Sequence, residues 1–254
     1  RMRTGVVGSV VNFPSVGKGS ATVRTPQTDV VPLNTAFATV SATMVDYIAA
    51  EYSDVFNQAK VNFDERRELA ELVGNAIGRR QDQVILDALA AATAGATIAN
   101  TVVTSGSAAA SDMNVGKIIA AAEQLNTANV PATDRHLVMH ASGLASLLGD
   151  ERAVSADYAS IKALTQGSGN VGSFMGFTIH VIGDMDEGGL AKDGSSDRTN
   201  FAFHKHALGC GVGIAPSTKI DWIPEKTSYL IASTMSMGAV AIDAAGIIDI
   251  TTRE

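Results

Sequence analysis

The chain has 254 residues and a mass of 26.2 kDa, 46% of it hydrophobic and 18% charged, which is enough apolar material for a buried core and too much for a disordered chain. A net charge of −7, from 19 basic and 26 acidic residues, excludes a surface that grips nucleic acid or an anionic membrane throughout. The lone Cys210 excludes an internal disulfide, and no apolar run is long enough to span a bilayer or act as a leader.

Small side chains dominate: 39 alanines and 24 glycines stand against 13 aromatic residues, a composition that favours close backbone approach. The chain begins with Arg1 rather than Met, so a preceding segment is expected. Residues 6–13 read as a strand, residues 15–19 as a loop tip, and residues 20–25 as a second strand, after which Pro26 and Pro32 keep the backbone extended. Such a ribbon is too poor in apolar surface to be stable alone and must lie on a support, including another subunit. Residues 43–52 fit either a strand or a short helix.

A long helix is expected over residues 63–92, capped by Asn62 with Glu65 reaching back to its amide. At 100° per residue, Leu69, Val73, Ala76, Ile77 and Val84 form one apolar stripe, with Arg80 lying within it. Gly74 and Gly78 weaken the helix interior unless another backbone crosses closely there. A short β-prone run at residues 101–104 precedes a second helix from Ser111 or Asp112, with Val115, Ile118, Ile119, Ala122 and Leu125 at helical spacing. Residues 136–140 read as a buried strand leading into a helix over 142–148, and residues 150–173 as irregular. A strand enters through Gly176 over 174–182, a loop with an Asp193-Gly194 turn follows, and residues 201–252 are rich in strands.

This order of elements resembles the major capsid protein family of tailed double-stranded DNA bacteriophages. Residues 62–70 and 78–89 look like the start and body of that family's spine helix. Residues 135–140 and 175–179 look like strands of its axial domain, and residues 220–250 look like its closing segment. The resemblance implies an α+β fold of three parts. Residues 1–62 would hold the remainder of an N-terminal arm and an extended β-ribbon loop. Residues 63–111 and 217–254 would form the peripheral domain, with the spine helix at 63–92, and residues 112–216 the axial domain. It also implies self-assembly as hexamers and pentamers into an icosahedral head around packaged DNA, without sequence-specific contact. Scaffold, portal and decoration proteins would be further partners, and assembly would take place in the host cytoplasm. The expected inter-subunit contacts are Lys18 and Arg24 on the ribbon and Arg66, Arg67, Glu71, Arg79 and Arg80 on the helix. No catalytic, cofactor or metal residue is assigned under this reading.

Other chemistries fit poorly. The phosphate-loop pattern around Gly17-Lys18 needs a glycine where Asn12 stands, and no helix follows. His204 and His206, two apart on an expected strand, could share a metal with His180 but lack a carboxylate or thiolate at a supporting spacing. Cys210 sits in an apolar run that raises a thiol pKa. Arg66-Arg67 and Arg79-Arg80 are interleaved with Glu65, Glu68, Glu71 and Asp82, and Arg67 and Glu71 stand at i, i+4; a salt-bridged face fits better than nucleic-acid recognition. Two alternatives remain: an encapsulin-like shell around protein cargo, and a soluble metal- or thiol-dependent enzyme using His204, His206 and Cys210.

Overall fold

The computed structural model describes residues 1–17, 19–30, 32–103, 109–149, 173–184, 187–190 and 192–254. In chain order these form β1 (Met2–Thr4), β2 (Val10–Val16), β3 (Phe37–Thr43), β4 (Val45–Asp54), α1 (Val55–Gln58), α2 (Glu65–Ala90), β5 (Ala96–Ile98), α3 (Val115–Thr127), β6 (Arg135–His140), α4 (Ala141–Gly149), β7 (Ser173–Phe174), β8 (Phe177–Ile182), β9 (Asp197–His204), β10 (Leu208–Ile223), β11 (Ser228–Ala241) and β12 (Ile247–Arg253). The mixed α+β class matches expectation.

The strands make three sheets: four strands in the order β1-β10-β11-β4, six in the order β5-β12-β9-β6-β8-β7, and the two-stranded ribbon β2-β3. Both faces of the six-stranded sheet are covered, which is why β6 carries an unbroken apolar run instead of alternating. Leu137 and Met139 face Ile118 and Leu125 of α3 and Leu147 of α4. Val138 and Phe201 face Leu86 and Leu89 at the far end of α2. Further up the same helix, Ile77 and Val84 pack on Val212, Met235 and Met237 of the four-stranded sheet. One helix therefore bolts the two large sheets together. Val73, Ile77 and Val84 of the expected stripe are buried, while Leu86 and Leu89 lie on another face of the helix and are buried against the six-stranded sheet.

Several local expectations are corrected. The ribbon's second strand is β3 and not residues 20–25, and seven residue pairs join it to β2, from Val10↔Thr43 to Val16↔Phe37. The reason lies on one face: Val11, Phe13 and Ala42 are buried together, whereas residues 20–25 have no apolar face to bury and run into a turn in which the Thr28 amide donates to the Thr25 carbonyl. Residues 45–54 resolve to a strand, paired with β11 over ten residues. Helix α2 starts at Glu65 with Asp64, not Asn62, as its N-cap residue. The Glu65 carboxylate is occupied by the Ser53 hydroxyl at 3.3 Å instead of an amide.

Helix α3 starts three or four residues later than expected, at Val115, where the Asn114 side chain accepts from the Lys117 amide at 3.0 Å. The fully buried Lys117 ammonium donates to the carbonyls of Ser111 and Asp112, holding those residues outside the helix. Burial brings its pKa down to about 8 against the pull of Asp112 and Asp197. The strand before α3 is β5, in parallel pairing with β12; of the expected run 101–104, Val102 sits in a single bridge and residue 104 lies outside the described residues. Met175 (φ 51°) and Gly176 (φ 84°) form a two-residue turn with both φ values positive, so that β7 and β8 make a tight hairpin. The expected irregular stretch at 150–172 lies outside the described residues.

Candidate assembly surfaces

The ribbon is pinned at its base and free beyond it. Strand β2 crosses β10 where the sequence alternates Gly209, Gly211, Gly213. A Cβ at Gly209 would stand 2.8 Å from the Phe13 ring, and one at Gly211 would stand 2.6 Å from Val11 Cγ2. On β11, a Cβ at Gly238 would meet the Thr43 carbonyl oxygen at 2.2 Å. The glycine-rich run is therefore a saddle for the ribbon, and no side chain larger than hydrogen fits beneath it. Farther out the apolar residues lose all cover: Val23 is 98% exposed, Val30 86% and Phe37 79%. Arg24 lies in this exposed stretch, and Lys18 falls outside the described residues.

The helix residues divide into two sets. Arg66 lies over the Tyr229 ring at 4.7 Å. Arg80 stacks on Tyr47 at 4.6 Å and pairs with Glu187 at 3.4 Å, so the cation within the apolar stripe does find partners. Arg79 presents its backbone to Gly188, whose positive φ of 74° and missing Cβ let the loop sit on the helix. Arg67 and Glu71 are exposed, and among the described residues no ion pair within 4 Å joins them. A Cβ at Gly74 or Gly78 would meet nothing within 4 Å, so the close crossing expected there is not made by the described residues.

The four-stranded sheet shows a second uncovered region. Helix α2 covers β11 and β4, and leaves Ile220 and Trp222 of β10 about half exposed. The opposite face of that sheet, with Ile48 and Tyr52, carries no helix among the described residues.

Side chains with chemical potential are held apart or consumed. His204 ends β9 and His206 lies in a following 3-10 turn, with ring centroids 5.3 Å apart, so they do not share a strand face. His180 pairs instead with His136, Nε2 to Nδ1 at 3.1 Å, a partner that spacing along the chain could not reveal. Among the described residues, no three His, Cys, Asp or Glu side chains converge to hold a metal ion. Burial raises the Cys210 thiol above its ordinary value.

Ser142, His140 and Glu254 do meet, with the Ser142 hydroxyl and the Glu254 carboxylate both on His140 Nδ1, at 2.8 and 3.1 Å. A proton relay needs serine and acid on opposite ring nitrogens. Here the carboxylate is also bound by Arg198 and Lys192, which makes it an electrostatic lock. Among the described residues no helix is long and apolar enough to cross a membrane.

Comparison with known proteins accounts for a body that offers surface rather than chemistry. A family model described as phage capsid protein matches residues 1–254. No curated protein matches the sequence. The capsid of cyanophage P-SCSP1u aligns with TM-score 0.75 and 16% identity over 100% of this chain and 86% of that one. The capsid of Ralstonia phage GP4 gives 0.76 and 14% over 100% and 86%, and the head of Helicobacter pylori bacteriophage KHP40 gives 0.75 and 10% over 99% and 88%. At such identities these likenesses speak for the fold, while the family model, matched from end to end, speaks for descent: the chain belongs to the phage capsid protein family and is a structural, non-enzymatic component of a viral shell.

Proposed function

We propose that the chain is the repeating subunit of an icosahedral tailed-phage head, assembling as hexamers and pentamers around double-stranded DNA held without sequence-specific contact. The observation that carries this reading is the ribbon, fixed at its root by Val11 and Phe13 and bare of intramolecular cover at Val23, Val30 and Phe37. Exposed apolar surface on an otherwise packed subunit is surface for another copy. Lys18 and Arg24 on the loop and Arg66, Arg67, Glu71, Arg79 and Arg80 on α2 are the proposed contact residues. Arg24, Arg67 and Glu71 are exposed, and no ion pair joins the last two. Helix α2 with the four-stranded sheet would form the peripheral domain, and the six-stranded sheet with α3 and α4 the axial domain. In that division β5 and β12, at residues 96–98 and 247–253, lie in the axial sheet although sequence order groups them with the periphery. Assembly in the host cytoplasm with scaffold, portal and decoration proteins belongs to the same reading.

Electron microscopy and sedimentation of the purified protein test it directly. Closed shells or ring-shaped capsomers are expected. A compact monomer at high concentration, with residues 20–37 protected from proteolysis, would overturn the proposal. Shells filled with protein cargo instead of DNA would favour the encapsulin-like alternative, which the phage-head matches do not support. Reversing Arg66 and Arg67 to Glu should abolish or strongly reduce particle yield while the isolated subunit melts within a few degrees of wild type.

A further inference from the structure

We infer that His136 and His180 form a binding site for a single borderline transition-metal ion such as Zn2+, Ni2+ or Cu2+. The two imidazoles project from adjacent parallel strands, β6 and β8, whose register sets His136 opposite Thr178 and His180 opposite Val138. Their nearest nitrogens, His136 Nδ1 and His180 Nε2, are 3.1 Å apart. Two nitrogens bound at about 2.0–2.1 Å to one metal, at angles from square to tetrahedral, stand about 2.9–3.4 Å apart. The spacing of the pair is therefore the bite of a cis chelate, reached once both rings turn off the line of their hydrogen bond toward a common point.

Rigidity supports the fit. Both residues sit on paired strands, and the His136 ring packs against Phe203 of β9 with centroids 5.6 Å apart, so little side-chain freedom is lost on binding. The site is reachable: His180 is exposed and His136 half-buried. Both open onto a cavity of about 440 Å³, also lined by Asp82 and Gln81 of α2 and by Lys205. That volume admits the waters needed to complete the coordination sphere. The Asp82 carboxylate is the negative group on this lining, beside the cations Lys205 and Arg1. Neutral imidazole donors with open water positions suit Zn2+, Ni2+ or Cu2+ and not Mg2+ or Ca2+, which take oxygen donors. A bound ion would replace the single hydrogen bond between the rings by two coordinate bonds and clamp β8 to the centre of the six-stranded sheet.

The test is titration of the purified full chain with Zn2+ by calorimetry, with Mg2+ as control, and Cu2+ electron paramagnetic resonance on the same samples. One ion per subunit is expected, with a two-nitrogen coupling pattern and a rise in melting temperature with Zn2+ but not Mg2+. His180→Ala, at an exposed position where folding is preserved, should weaken binding at least tenfold and remove one nitrogen from the Cu2+ spectrum. His136→Gln should do the same. Absence of stoichiometric Zn2+ binding to wild type, or binding that survives His180→Ala unchanged, would overturn the assignment.

Discussion

The buried cations decide how the ends of β9 and β12 are held. Arg198 is almost fully enclosed and directs its guanidinium at both oxygens of Glu254, at 2.9 and 3.2 Å, and at Asp184. Glu254 keeps Lys192 and Ser142 when this partner is lost, so Arg198→Met should cost about 1–3 kcal/mol, read as a lowered denaturation midpoint. Burial pushes the Glu254 carboxyl up, but hydrogen bonds from Arg198, Lys192 and Ser142 outweigh it and bring the value down to about 2. Asp197, bonded by Arg253 and Asn100, is likewise lowered to about 2. Both folded values lie below those of an unfolded chain, near ~4. Their stabilisation is therefore complete above about pH 5 and is lost as the pH falls toward 2. Melting temperatures measured from pH 7 to pH 2.5 should fall below pH 5, and fall less steeply in Asp197→Asn/Glu254→Gln.

At the scale of elements, the ribbon and the spine helix use glycine for opposite reasons. Beneath the ribbon, glycine is required by contact. Gly211→Ala would drive a methyl into Val11 and should destabilise by about 1–3 kcal/mol, seen as early proteolysis between β2 and β3. Gly238→Ala, facing the Thr43 backbone, has no flexible side chain to move aside and should be worse. On α2, a Cβ at Gly74 or Gly78 would meet no other element among the described residues within 4 Å. Alanine at either should therefore stabilise the isolated chain by about 0.5–1 kcal/mol. A fall in particle yield from a more stable subunit would locate a neighbour's backbone at that point on the helix. The helix itself was legible because its apolar stripe repeats within one segment; the ribbon's partner strand was not, because the ladder joins residues separated by a 20-residue excursion.

Taken whole, the molecule has a well-covered sheet, a half-covered sheet and an uncovered loop. The six-stranded sheet is sandwiched by α2 on one side and by α3 and α4 on the other. The four-stranded sheet shows Ile220 and Trp222 beside α2 and Ile48 and Tyr52 on its other face. This gradient gives a subunit that folds around one end and completes itself at the other by association. Truncating residues 19–35 should accordingly leave the melting temperature of the subunit nearly unchanged while preventing shells from forming, measured by calorimetry and micrographs of the same preparation.

Local pattern by itself settled what depends on near neighbours in the chain: the stripe of α2, the apolar spacing of α3, the strand–helix run at 136–148 and the acidic balance. The family likeness was legible in the order of those elements. Tertiary structure alone decided which strand completes the ribbon, why positions 209 and 211 must be glycine, that His180 meets His136 and not His204, and that β12 lies among the strands of the central sheet. Each of these joins residues far apart in the chain, where pairing is set by which faces can bury one another, and spacing along a sequence carries no measure of that.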